Sequence, residues 1–218
     1  MTLAKVIRGL KYLLLFIMLY SLPAKSQTNN IRGMYVNSTS SWLGDSSLEN
    51  QILRYAVAHD LNYLTLYDLN NLSWTTSDIT KLAAFISKAK TLYSIVQVGA
   101  AGETYNSFAT RIMNYNNRVL PIEKFNVFNF EFEFWLTSSI NAFYSTLYLT
   151  PNGYTADTAG AFAFAWREFQ KIDSLTNANG LVSEIYLGWP NRGQMQQLAS
   201  RADRILLHSY RTTDADIY

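Results

Sequence analysis

Residues Phe125 to Trp135 read FNVFNFEFEFW, and no other run in the chain restricts the fold so tightly. As an extended strand its side chains alternate between two faces. Phe128, Phe130, Phe132 and Phe134 fall on one face, and Asn129, Glu131 and Glu133 on the other. The aromatic face needs an apolar cover, which helices supply. The opposite face then points into an enclosed space, with Glu131 and Glu133 roughly 7 Å apart at Cα for a rise of about 3.3 Å per residue. Two carboxylates in a confined site are common equipment for glycoside hydrolysis.

Strand-like and helix-like segments alternate along the rest of the chain. Strands are expected at 31–37, 61–69, 92–98, 125–135, 183–189 and 204–210. Helices are expected between them, at about 46–58, 77–90, 104–116, 159–176 and 191–202, the first opened by a capping box from Ser46 to Glu49. Gly99-Ala100-Ala101-Gly102 reads as a flexible turn after the third strand, and 136–156 as a polar stretch with a short helix. Six strand-then-helix units in series predict a parallel α/β fold. Polar residues gather at strand C-termini, including Asn37, Asp68, Glu133, Trp189 and Tyr210, which favours a TIM-type (β/α)8 barrel over an open sheet. Eight units complete such a barrel and about six are present, so the expectation is a barrel incomplete at its C-terminal end.

The first 26 residues are set apart from residues 27–218, the expected barrel domain. Lys5, Arg8 and Lys11 precede the apolar run Tyr12–Leu22, and Ala24-Lys25-Ser26 supplies small residues before Gln27. This is the layout of a secretory signal peptide, and the apolar run is short for a membrane span. The expected protein is secreted, or periplasmic or cell-surface in a bacterium, with no stable membrane insertion after cleavage. Losing Lys5, Arg8, Lys11 and Lys25 turns the formal charge of +2 into −2, which removes any argument for nucleic acid. The chain has no cysteine, so disulfides, thiolate metal sites and cysteine nucleophiles are excluded.

The strand at 125–135 resembles the signature of the chitinase-like glycoside hydrolase family 18, D-G-x-D-x-D-x-E on strand 4 of a TIM barrel. Laid on this chain it runs from Asn126 to Glu133, keeping the final Glu and replacing the acidic positions by Glu131, Asn129 and Asn126 and the Gly by Val127. Val98–Gly102 is a loose equivalent of the family's Ser-x-Gly-Gly element. Leu207–Arg211 keeps the tyrosine of its Met-x-Tyr-Asp element as Tyr210. The resemblance implies an exported hydrolase of β-linked N-acetylglucosamine polymers or N-glycan cores, working by substrate-assisted, retaining hydrolysis. Glu133 would be the acid/base, Glu131 the carboxylate that orients the acetamido group, and Tyr210 its hydroxyl partner. The replaced positions equally admit a catalytically inactive barrel that binds glycans.

Charge repulsion gives a reason for the pair that is independent of any family. Two close carboxyls do not both ionise cheaply, so one holds a proton near neutral pH. Against this, Glu131 could instead be a buried partner of Arg204 or Arg211. Substrate contacts are expected from Asn129, from Trp135 and Trp189 as stacking platforms, and from Tyr67 and Tyr210 at strand ends, although aromatic residues serve cores equally well. Two histidines, no cysteine and no His-x-x-x-His spacing give a metal site no support. The Gly99–Gly102 stretch lacks the glycine pattern and lysine of phosphate loops, and no cofactor is expected. The expected partner is an oligosaccharide or polysaccharide.

Overall fold

The structure, a computed structural model, describes residues 30–208. The chain divides into a segment ending at Ile31 and a compact unit beginning at Arg32, and the second is described here. The expected signal peptide and Tyr210 lie outside the described residues. Among those residues, no helix is long and apolar enough to cross a membrane.

Six strands form one sheet: β1 (Gly33–Val36), β2 (Tyr63–Leu66), β3 (Gln97–Gly102), β4 (Val127–Glu131), β5 (Val182–Leu187) and β6 (Arg204–Leu207). Every neighbouring pair is parallel, and the spatial order is the sequence order, β1 to β6. An open doubly wound sheet reverses its strand order part-way across, and this one does not. It is also curled. Adjacent strands lie about 4.8 Å apart, so a flat sheet would hold β2 and β6 roughly 19 Å apart. Yet the Arg204 guanidinium of β6 sits 4.6 Å from the ring centre of Tyr63 of β2. Tyr35 of β1 likewise lies 6.3 Å from the ring of Tyr186 of β5. Only a sheet bent into a barrel-like wall brings these rings together.

The convex face is covered by helices. The helix Ser46–Ala58 follows β1, Thr76–Leu92 follows β2, Thr158–Asn179 precedes β5 and Arg192–Ala199 precedes β6. Between β3 and β4 a composite helix spans 105–116, with the π-helical turn Phe108–Ile112 at its centre. Phe128, Phe130, Phe132 and Phe134 of the opening motif are all buried on this outer side. Phe128 stacks on Phe108, Phe130 packs on Phe169, Phe132 on Phe164 and Phe134 on Phe162. The last three partners belong to Thr158–Asn179. That helix starts at Asp157, whose carboxylate accepts from the Gly160 amide at 2.7 Å, and stops at Gly180, whose φ of +64° ends the helical turn.

Most strands are shorter than the expected ranges, the third runs over Gln97–Gly102 and not 92–98, and three differences bear on the site. The helix Ser46–Ala58 is capped by Asp45, which accepts from the amides of Ser47 and Leu48, while Glu49 instead accepts from Gly44 and pairs with Lys88. β4 ends at Glu131, so Glu133 and Trp135 lie in the turn beyond it although the buried alternation of phenylalanines continues. Gly99-Ala100-Ala101-Gly102 is strand β3 itself and not a turn. The reason is steric: a Cβ on Gly99 would lie 2.5 Å from the Tyr63 hydroxyl oxygen. Small residues stand in β3 because a tyrosine from β2 fills the interior beside it.

Candidate functional site

The concave face is built on polar residues, one from each strand. Glu184 of β5 is fully buried and accepts from Tyr63 of β2 and from Asn129 of β4, both at 2.7 Å. Its other oxygen is paired with Arg204 of β6. Arg204 also donates to Gln97 of β3 at 3.0 Å, and Tyr35 of β1 donates to the Asn129 carbonyl oxygen at 3.1 Å. Asn129 is therefore fully buried on the concave side of the sheet, with both ends of its amide occupied. Arg204 is committed to Glu184, which leaves Glu131 without that counterion.

Above this layer, at the C-terminal ends of β2, β3 and β4, a cavity of about 250 Å³ opens. Its lining includes Tyr67, Trp74, Glu103, Ser107, Glu131 and Tyr148, with Arg111 at the rim. Two of its lining residues carry orphaned polar atoms: Glu131 Oε2 and Trp74 Nε1 are buried with no hydrogen-bond partner. Trp74 also holds a φ of +55°, and Asp68, which lines the same cavity, one of +58°. Non-glycine residues rarely adopt this left-handed conformation, and it concentrates where structure serves a site.

Burial is the main reason that Glu131 titrates at about 7 instead of 4.5, and the charges of Glu133 and Glu103 add to the rise. The Glu131 proton is therefore held far closer to neutral pH than that of an ordinary carboxyl. Glu103 is also raised, by burial first, while the Tyr148 hydroxyl, donating to its carboxylate at 2.7 Å, pulls it back down. Burial and the nearby carboxylates push the Tyr67 phenol upward too. Glu103 and Glu131 are lateral neighbours. The register pairs Ala101 with Asn129 and Gly102 with Phe130. One step further along the same alignment places Glu103 beside Glu131.

Glu133 sits apart from the cavity lining. Its carboxylate accepts from Ser139 at 3.4 Å, and its amide donates to the Tyr144 hydroxyl at 3.2 Å. Tyr144 and Tyr148 both belong to the π-helical segment Ile140–Leu149, which this pair of hydroxyls ties to β4 and β3. Ten residues of π-helix are uncommon, and such turns favour functional sites.

The aromatic residues form a connected series across the mouth. Tyr67 meets Tyr35 edge-on at 6.4 Å, and Tyr186 lies between Tyr35 and Trp135 at 6.3 and 6.0 Å. Trp135 lies against Gly188, where a Cβ would stand 2.2 Å from its indole nitrogen. Trp189, 44% exposed, stacks near His208, which in turn packs on Tyr186. Of the expected site residues, Glu131 and Tyr67 line the cavity, whereas Asn129 is buried below it and Trp135, Trp189 and Glu133 lie outside its lining. Among the described residues, no three His, Cys, Asp or Glu side chains are arranged to hold a metal ion.

Glu103, Glu184, Trp74 and Tyr148 were not singled out by sequence reasoning. Glu103 was hidden by the turn expected at Gly99–Gly102: extending β3 to Gly102 brings Glu103 to the strand end. Glu184 lay within an expected strand, and its inward parity with Tyr186 was the available signal.

No family model matches the chain, and no curated protein matches it. Two solved structures of pyruvate kinase from Cryptosporidium parvum align with it, at TM-scores of 0.46 and 0.44 and identities of 11% and 10%. They cover 76% and 75% of this chain, which spans only 31% and 30% of theirs.

Proposed function

We propose that the protein is an exported glycoside hydrolase whose proton donor is Glu131. The supporting observation is a buried carboxyl with one orphaned oxygen, Oε2, in a cavity at the strand C-termini of a curled parallel sheet. Such a group has a proton to give near neutral pH and nothing in the resting protein to give it to. A glycosidic oxygen between two sugar rings is a suitable acceptor, and the aromatic series from Tyr67 to Trp135 offers stacking faces for the rings. The curvature of the sheet fits an eight-stranded barrel, in which this end is the usual place for chemistry. The basic and apolar start of the chain supports export.

The first substrates to try are β-linked N-acetylglucosamine oligomers, which the likeness of 126–133 to family 18 implies. On that likeness Glu133 would be the acid. The cavity argues for Glu131, because Glu133 lies outside its lining and has Ser139 as a partner. The test is release of 4-nitrophenol from its N-acetyl-β-glucosaminide and cleavage of chitin oligomers by the full chain. Glu131→Gln is expected to lower kcat/KM roughly a hundredfold or more while oligosaccharide binding persists, and Glu133→Gln is expected to cost less. Binding without turnover in the unmutated protein would identify an inactive glycan-binding barrel. Neither binding nor turnover would end the glycan reading.

A further inference from the structure

We infer that Glu103 is a second catalytic carboxylate, the nucleophile that works opposite Glu131, so that the reaction needs no acetamido group on the sugar. This rests on the hydrolase reading above. Four observations converge on it. Glu103 is the first residue after β3, one step beyond the pair Gly102 and Phe130, and Glu131 is the last residue of β4. Both residues line the same cavity, where Trp74 Nε1 and Glu131 Oε2 are buried and unpartnered. Tyr148 donates to one Glu103 oxygen at 2.7 Å, which steadies the charged form and fixes the direction of the carboxylate. Glu131 has no such donor. The two carboxyls are thereby made unequal: Glu103 has a hydroxyl donor that favours its charged form, and Glu131 has none. Adjacent strands put their backbones about 4.8 Å apart, so both side chains reach the one cavity from neighbouring strand ends.

The step balances with the groups present and water. Glu103 attacks the anomeric carbon as the bond from that carbon to the leaving oxygen breaks. Glu131 delivers its proton to that oxygen, and the aglycone departs as an alcohol. A water molecule then gives a proton to the Glu131 carboxylate and attacks the same carbon. The ester bond to Glu103 breaks, releasing the sugar and restoring both residues. No oxidant, reductant or further cofactor takes part. Tyr148 acts as a positioning residue through Glu103.

The experiment compares 4-nitrophenyl β-glucoside with the corresponding N-acetyl-β-glucosaminide, using the full chain. Turnover of the glucoside, which has no acetamido group, is the expected result. Glu103→Ala should then lose roughly a hundredfold or more, and added azide should restore turnover in proportion to its concentration and yield a glycosyl azide. A merely structural role for Glu103 would give no azide product. Should that variant fail to fold, the unmutated protein is treated with 2,4-dinitrophenyl 2-deoxy-2-fluoro-β-glucoside and its peptides are weighed. A fluorosugar on the peptide containing Glu103 supports the assignment. A label elsewhere, no label, or wild-type turnover in Glu103→Ala overturns it. Cleavage restricted to acetamido sugars also overturns it while leaving the hydrolase reading intact. No cleavage of either glycoside removes both.

Discussion

Tyr63 on β2 donates its hydroxyl to Glu184 on β5 at 2.7 Å, across an interval of three strands. A flat sheet would separate these strands by roughly 14 Å, so this bond and the Arg204 pair beside it exist only because the sheet is curled. Glu184→Gln keeps the shape and removes the charge, leaving the Arg204 guanidinium buried without its counterion. The expected loss is about 3–5 kcal/mol of folding stability, measured by urea unfolding followed by tryptophan fluorescence. An unchanged midpoint would mean that Arg204 finds solvent.

Gly99 supplies the complementary test. Gly99→Ala sets a methyl group 2.5 Å from the Tyr63 hydroxyl oxygen. Overpacking of this kind costs about 1–3 kcal/mol. Tyr63→Phe removes the atom nearest to that methyl, so the double variant should be less destabilised than the sum of the two single changes. Strict additivity in thermal melts would contradict the close approach.

The titration of Glu131 has a definite sign. Its carboxyl titrates at about 7 in the folded protein, against about 4.3 in an unfolded chain. Below about pH 4 both states hold the proton and the group has no effect on the balance. As pH rises the unfolded chain ionises first, so stability falls between about pH 4 and pH 7 and then levels off. Glu131→Gln cannot ionise and should escape this decline. Relative to its value near pH 4, the variant should gain on the order of 3 kcal/mol over the parent by about pH 8. Parallel denaturation curves at the two pH values decide it, and equal differences at both would refute the raised pKa.

Trp74 should behave as a ligand-facing residue. Its indole N–H is buried with no acceptor, so Trp74→Phe removes an unsatisfied donor. Stability is expected to change by less than about 1 kcal/mol. Oligosaccharide affinity, measured by calorimetry, should weaken by roughly tenfold, the equivalent of one hydrogen bond of about 1.4 kcal/mol. Large destabilisation with unchanged affinity would assign the residue to packing.

Much of the architecture was legible from residue pattern. Phenylalanines at every second position from Phe128 to Phe134 required a helical cover, and Thr158–Asn179 supplies it with Phe162, Phe164 and Phe169. The helix Ser46–Ala58 was read at its full length, though not its cap, because Asp45 competes with Ser46 for the same amides and a carboxylate accepts more strongly. The third strand was misread because its composition, Gly-Ala-Ala-Gly, is that of a turn. Its true cause, the volume of Tyr63, sits more than thirty residues away in the sequence. The same error concealed Glu103. Alternation placed Glu131 on the face opposite the phenylalanines, and it lines the cavity. The exchange of emphasis from Glu133 to Glu131 depends on where β4 stops, and alternation does not reveal a strand end.

An apolar interior tolerates sliding, since one methyl group replaces another at small cost. The cluster around Glu184 does not. Advancing β5 by two residues would put Val182 or Tyr186 where Glu184 stands, and Arg204 would lose its counterion while Asn129 and Tyr63 lost their acceptor. Every strand contributes one atom or more to this cluster, so every strand has one alignment that satisfies it. During folding, the competing alignments are rejected by electrostatics as well as by shape, and the cavity at the strand ends inherits its atomic placement from that choice.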